Sequence, residues 1–242
     1  MLWKLFFEIC DILCSCIPIK DVRHRIRREK LFDWRKKYNA LRKKYPELNF
    51  WGAKMIKGGW NIGFIVDNKY VFKIKKRFDS HTSIEKITRE KRITDAFANI
   101  SPLRIPKIEI VHTGGYTFYK YDFIPGKNLN FHSLRAITKN APVWGQQLAE
   151  FIYAIHNAHP HEIDDLRGDR AGDGWNHNDI CNNVIVDKKT KKIIGVIDWE
   201  YAGWGTLESE FNNTVFFSSK LRKSGIKQII MDNYAQLKKN SK

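Results

Sequence analysis

His177-Asn178-Asp179-Ile180-Cys181-Asn182-Asn183 followed by Val184-Ile185-Val186, and Ile193-Ile194-Gly195-Val196-Ile197 followed by Asp198-Trp199-Glu200, are the stretches whose reading decides the fold. Two short β-branched runs enclose a polar turn, Asp187 to Lys192, which is the pattern of a β-hairpin. A hairpin brings its outer ends together. Asn183, just before the first strand, therefore stands beside Asp198, just after the second. Asp179 lies four residues upstream of Asn183 on the same loop. Spacing alone converges an Asp, an Asn and a second Asp at one end of the hairpin.

Such a set suits phosphoryl transfer, in which the protein contributes positioning and charge neutralisation rather than covalent chemistry. Oxygen ligands suit magnesium, which keeps several waters and takes its remaining ligands from carboxylates and phosphates. Asp198 and Asn183 are the expected metal ligands, with Asn182 as the alternative to Asn183. Asp179 is the expected catalytic residue, accepting or orienting the proton of the attacking hydroxyl. His177 reads as a residue that braces the loop.

Upstream, Lys57-Gly58-Gly59-Trp60-Asn61-Ile62-Gly63 leads into Phe64-Ile65-Val66, a turn at Asp67-Asn68-Lys69, and Tyr70-Val71-Phe72-Lys73-Ile74. This is a strand, a turn and a strand. Nucleotide loops of the Walker and dinucleotide types open a helix. Here the glycines open a strand, as in protein kinases, where a lysine on the third strand meets the phosphates. Lys73 fits that position. A charged helix from about Ser83 to Phe97 carries Glu90, a candidate partner for Lys73, with Glu85 as its rival. Two further strands are expected at 104–108 and 117–121. Phe123-Ile124-Pro125-Gly126 then breaks the pattern as a candidate hinge. The expected nucleotide-binding residues are Gly58, Gly59, Asn61, Lys73, Glu90, Tyr121 and Phe123.

At these residues the chain resembles the aminoglycoside phosphotransferase and choline kinase group of kinase-like phosphotransferases. The resemblance rests on the glycine turn with Lys73, on Glu90, on Ile124-Pro125-Gly126 and on the helix Leu148 to His156. It rests most on His177-Asn178-Asp179 and Ile197-Asp198-Trp199-Glu200. It spans roughly residues 54–212 and includes bacterial kinases of lipopolysaccharide core sugars. It implies an α+β, bilobal, protein-kinase-like fold with a small β-rich N-lobe (51–122), a mainly helical C-lobe (123–242) and an N-terminal helical extension (1–50). It further implies ATP, Mg2+ and a hydroxyl acceptor on a small molecule or glycan. Two departures stand out. Three residues separate Asp179 from Asn183 where kinases place four, which motivates a catalytically silent scaffold as the alternative. Tryptophan follows Asp198 where protein kinases have phenylalanine, which points away from a protein substrate.

Charge and hydropathy add a partner. The 242 residues hold 43 Lys and Arg against 26 Asp and Glu, a formal net charge of +17. So positive a chain favours anionic partners and is a poor host for cationic aminoglycosides or choline. Leu2, Leu5, Phe6, Ile9, Ile12, Leu13 and Cys16 recur at helical spacing. A second, basic helix is expected from Asp21 to Tyr45, with Leu31, Trp34, Tyr38, Leu41 and Tyr45 as its stripe and Pro46 at its end. An apolar helix beside a basic one suits an anionic membrane surface, and packing on the chain's own domain accounts for it equally. Cysteines at 10, 14, 16 and 181 form no disulfide or zinc pattern. No apolar run is long enough to span a bilayer. The expected location is cytoplasmic, peripheral at the inner face of the membrane. No nucleic-acid recognition motif is visible.

Overall fold

The computed structural model describes residues 33–57, 61–75, 80–168, 171–214 and 218–241, besides isolated positions before residue 33. The expected helix at 1–17 and most of the one at 21–45 lie outside them, as do Gly58 and Gly59. The chain packs as two units. One takes the chain to Asp79 together with Glu109–Phe123, the other Ser80–Ile108 together with Ile124–Lys242.

The first unit is a five-stranded antiparallel sheet in the order β1-β2-β3-β5-β4. Its strands are β1 (Lys54–Lys57), β2 (Asn61–Val66), β3 (Tyr70–Lys75), β4 (Glu109–Thr113) and β5 (Tyr116–Asp122). Helix α1 (Asp33–Lys44) packs on it. Alternation sends Phe64, Val66, Phe72, Ile74 and Phe118 into one core with Tyr38, Leu41 and Phe50. The Tyr38 hydroxyl donates to the Phe50 carbonyl at 2.6 Å. Part of the apolar stripe expected on the basic helix is thus buried in the chain's own domain, while Arg42, Lys43 and Lys44 stay exposed. The helix ends two residues before Pro46, which cannot continue it.

The strand expected at 104–108 is absent. Pro102 and Pro106 remove ladder donors there, and only an isolated bridge joins Arg104 to Gly195. The ladder uses Glu109–Thr113 instead. It turns on Gly114 and Gly115, both at positive φ, a region that glycine enters without steric cost.

The second unit is mainly helical. Helix α2 (Ser80–Phe97) is followed, after the first unit's last two strands, by β6 (Lys127–Asn128), α3 (Leu134–His156), β7 (Gly174–Asn176), β8 (Val184–Val186), β9 (Ile193–Val196) and β10 (Gly203–Gly205). Helices α4 (Leu207–Thr214), α5 (Ser219–Lys223) and α6 (Ile226–Asn240) close the chain. The expected hairpin is present as β8 and β9, with β6 on its outer side. Helix α3 is longer than the stretch from Leu148 read as helical. Ser133 caps its first turn, and the Gln147 amide pairs with both the N–H and the carbonyl of Ile193.

Residues 80–108, expected with the N-lobe, pack with this second unit. The reason is aromatic burial: Phe97 stacks on Trp199 at 5.8 Å and meets Trp175 edge-on at 6.0 Å. All three rings are fully buried. Among the described residues no helix is long and apolar enough to cross a membrane.

Gly174 marks the tightest approach in this core. A Cβ there would stand 2.1 Å from the His156 carbonyl oxygen. Gly174→Ala is expected to destabilise the second unit by about 1–3 kcal/mol through overpacking, measured as a lowered urea midpoint.

Candidate functional site

Within the second unit the hairpin ends meet as the spacing required. Val184 pairs with Val196, and the Ile197 N–H donates to the Asn183 carbonyl at 2.9 Å. The Asn183 side chain, almost fully buried, turns its amide nitrogen to Asp179. It donates to the Asp179 carbonyl at 2.8 Å and to Oδ2 at 2.9 Å. That leaves Asn183 Oδ1 as the amide oxygen turned away from this bond pair. Asn182 is exposed, and its Nδ2 donates to Asp179 Oδ1 at 3.1 Å. Its Oδ1 accepts from Asn130 Nδ2 at 2.5 Å, and its backbone carbonyl accepts from Asn128 Nδ2. Of the two asparagines, Asn183 is the one whose oxygen is not taken by a neighbouring amide in these bonds.

His177 braces the loop. Its Nδ1 accepts the Asp179 N–H at 3.2 Å, which makes Nε2 the protonated nitrogen that donates to the Ile197 carbonyl at 3.1 Å. The ring also lies edge-on to Trp199 at 5.0 Å. One neutral imidazole thus ties the loop carrying Asp179 to the strand end carrying Asp198. Buried Glu210 accepts the Asn178 N–H at 3.0 Å, while Asn178 takes a left-handed φ of 64°. Asp198 is left-handed too, with φ 64° and ψ 68°. Left-handed backbone costs a non-glycine residue about 1–2 kcal/mol, and such residues cluster at functional sites.

Glu90 of α2 joins this group. Its Oε1 accepts the Trp199 N–H at 3.1 Å. Carboxylate oxygens of Glu90, Asp198 and Glu200 all lie within 4.8 Å of one another. Three carboxylates converge here, with the Asn183 amide on the same hairpin end. All are oxygen donors, the set that a hard divalent cation takes. Glu200 and the asparagines 128 and 130 were not singled out by sequence. The two asparagines reach Asn182 from more than fifty residues away, a separation that no local pattern encodes.

Burial pushes the Asp179 carboxyl above the usual carboxylate range. The Asn182 and Asn183 amides act in the opposite direction, and the negative charges of Asp198 and Glu200 push it further up.

In the first unit, residues paired across an antiparallel ladder share a face. Lys73 pairs with Gly63 and with Tyr119, Asn61 with Lys75, and Val71 with Tyr121. Asn61, Lys73 and Tyr121 therefore stand on one face, opposite the one that carries Phe72 and Ile74 into the core. Lys73 is buried, with Nζ 5.2 Å from the centre of the Tyr119 ring. The Phe123 N–H closes the strand end by donating to the Lys69 carbonyl at 2.7 Å.

Other histidines and aspartates of the second unit are held by local bonds. His156 bonds Asn176 and Asp173, His159 packs on Trp204, and His161 meets Asp164. Arg92 takes Asp165 through both of its terminal nitrogens.

Comparisons with known proteins bear on the fold. The model of the phosphotransferase enzyme family, APH, matches residues 162–233, the segment that holds Asp179, Asn183, Asp198 and Glu200. The GDP and kanamycin complex of an aminoglycoside phosphotransferase, APH(2")-IIia, superposes with a TM-score of 0.64 at 13% identity, over 82% of each chain. The aminoglycoside phosphotransferase APH(3'')-Id from Streptomyces rimosus gives 0.61 at 12% identity, over 84% of this chain and 92% of that one. The macrolide 2'-phosphotransferase MphH from Brachybacterium faecium gives 0.57 at 13%, over 81% and 82%. No curated protein sequence matches. The resemblance to aminoglycoside phosphotransferases is borne out. The fold is their kinase-like α+β fold, sheet-rich toward the N-terminus and helical toward the C-terminus.

Asn182→Ala removes a donor that favours the charged form of Asp179. The expected outcome is a further upward move of the Asp179 carboxyl, read by NMR titration of its side-chain carbon.

Proposed function

We propose that this chain is an ATP- and Mg2+-dependent kinase that phosphorylates a hydroxyl of a sugar or other small acceptor. The observation that carries the reading is the meeting of Asp179, Asn183, Asp198 and Glu200 at one hairpin end, inside the segment that matches the phosphotransferase family model, with Glu90 of α2 beside them. Each group has a part. Asp198 and Asn183 Oδ1 would hold magnesium, and the donor chemistry fits that ion. Bound there, magnesium supplies positive charge that offsets the phosphates. Asn183, through its amide nitrogen, and Asn182 fix the Asp179 carboxylate. Asp179 accepts the proton of the acceptor hydroxyl as the hydroxyl oxygen bonds to the γ-phosphorus of ATP and the bond from that phosphorus to the leaving ADP breaks. His177 and Glu210 keep the loop in place. Lys73, Asn61 and Tyr121, on one face of the first unit's sheet, take the nucleotide together with Gly58, Gly59 and Phe123. Glu90, which accepts the Trp199 backbone N–H, sets the backbone that follows Asp198.

The charge supports an anionic acceptor over a cationic one. A glycolipid sugar such as those of the lipopolysaccharide core has that character, and a kinase for it would work in the cytoplasm at the inner face of the membrane. The matched solved structures include complexes with kanamycin and with streptomycin, which keeps a soluble sugar acceptor as the second reading.

The test is transfer of labelled γ-phosphate from Mg-ATP into an envelope glycolipid extract and a soluble metabolite extract, with Asp179→Ala beside the wild type. Label in the glycolipid, lost by about 10²–10⁴-fold in Asp179→Ala, is the expected result. Label only in the soluble pool moves the acceptor to a small molecule. Label that does not depend on Asp179, or no label, overturns the reading. A base must be deprotonated to act, so activity is expected to fall as pH drops through the Asp179 pKa. Because burial raises that pKa, the acid limb of kcat is expected above the ordinary aspartate range.

A further inference from the structure

Three segments distant in sequence meet around His132, and all are basic. Residues 127–143, 188–192 and 218–223 contain three, four and three Lys or Arg and no Asp or Glu. Their meeting is fixed by bonds. The Lys220 ammonium donates to the carbonyls of Asn130 and His132 at 2.5 and 3.1 Å. The His132 ring lies against Trp144 at 5.3 Å, and Trp144 Nε1 donates to the Lys191 carbonyl at 2.5 Å. Burial, with the nearby positive charges of Lys127, Lys191 and Lys220, pushes the His132 pKa down. The acid at the hairpin turn, Asp187, is held there by Lys189 N–H and by Thr190.

The first of these segments also carries exposed apolar groups. Phe131 is 73% exposed, and Leu134 and Val143 on the first half of α3 are also exposed. Arg135 and Lys139, both exposed, lie one turn apart on α3. Exposed aromatic and aliphatic side chains beside segments that hold ten Lys or Arg and no Asp or Glu match a surface that sits in the interface of an anionic bilayer. The face also borders the catalytic loop. Phe131 follows Asn130, whose amide holds Asn182, which in turn holds Asp179.

We infer that this face of the second unit docks on an anionic lipid surface, with Phe131 and Leu134 entering the headgroup layer and Arg135, Lys139 and Lys191 facing the lipid phosphates. Acceptors held in that surface are thereby presented to Asp179. That last step rests on the function proposed above, whereas the docking itself does not.

The experiment is sedimentation of the full chain with vesicles of phosphatidylcholine alone or mixed with phosphatidylglycerol, without nucleotide. The wild type is compared with Arg135→Glu/Lys139→Glu, with Phe131→Ser and with Asp179→Ala. All three surface positions are exposed, so melting curves are expected to match the wild type. Salt-sensitive binding to the anionic vesicles is expected. Each basic residue near an anionic leaflet is worth about fivefold, so the double reversal should weaken binding by at least about 25-fold, and Phe131→Ser should weaken it measurably. Asp179→Ala should bind as the wild type does, which separates a failure of docking from a failure of the phosphotransfer reading. Equal binding to neutral vesicles, undiminished binding of the double reversal, or displacement from vesicles by a duplex oligonucleotide at matched phosphate would each overturn the inference.

Discussion

The hydrogen bond from the Ile197 N–H to the Asn183 carbonyl is the constraint on which the rest of the site depends. It extends the β8–β9 ladder by one rung beyond Val184 and Val196. With that rung closed, Asn183 can turn its amide to Asp179 while Asp198 leaves the strand in a left-handed conformation. His177 repeats the tie from the other side by binding the Asp179 N–H and the Ile197 carbonyl with its two ring nitrogens. Two independent links across one gap hold the carboxylates of Asp179 and Asp198 near each other despite their repulsion. That repulsion, added to burial, raises the Asp179 pKa, and the two amides partly offset it.

The aromatic core behind the hairpin makes this arrangement rigid. Trp199 directly follows Asp198, and its ring is enclosed by Phe97, Phe151 and His177. Its backbone N–H is held by Glu90. The burial that anchors α2 in the second unit therefore also fixes the residue after Asp198. Core packing and site geometry here share the same side chains.

The hairpin was legible in the sequence because two β-branched runs around a polar turn have few other readings, and its ends carried the chemistry. The strand partner of β5 was misplaced. Arg104–Ile108 has apolar residues but is flanked and broken by proline, while Glu109–Thr113 mixes a carboxylate and a histidine into a working edge strand. The first half of α3 was hidden by Pro142 and Gly145. Trp144 is fully buried there, and a Cβ at Gly145 would stand only 2.5 Å from Ile229 Cγ2, so packing against α6 overrides local propensity. Of the candidate site, Asp179, Asn183 and Asp198 converge as spacing required, and Asn61, Lys73 and Tyr121 share one sheet face. Glu200 was read only as part of a motif, and the amides of Asn128 and Asn130 arrive through tertiary contacts that no spacing rule reaches.

The central claim is that the hairpin end is an oxygen-donor site for magnesium with a nucleotide. Isothermal titration of ADP, with and without Mg2+, into the wild type and Asp198→Ala tests it most directly. The account predicts that magnesium strengthens ADP binding to the wild type and has little effect on Asp198→Ala. Binding that is equally tight without magnesium, or equally strengthened by it in Asp198→Ala, would contradict the account.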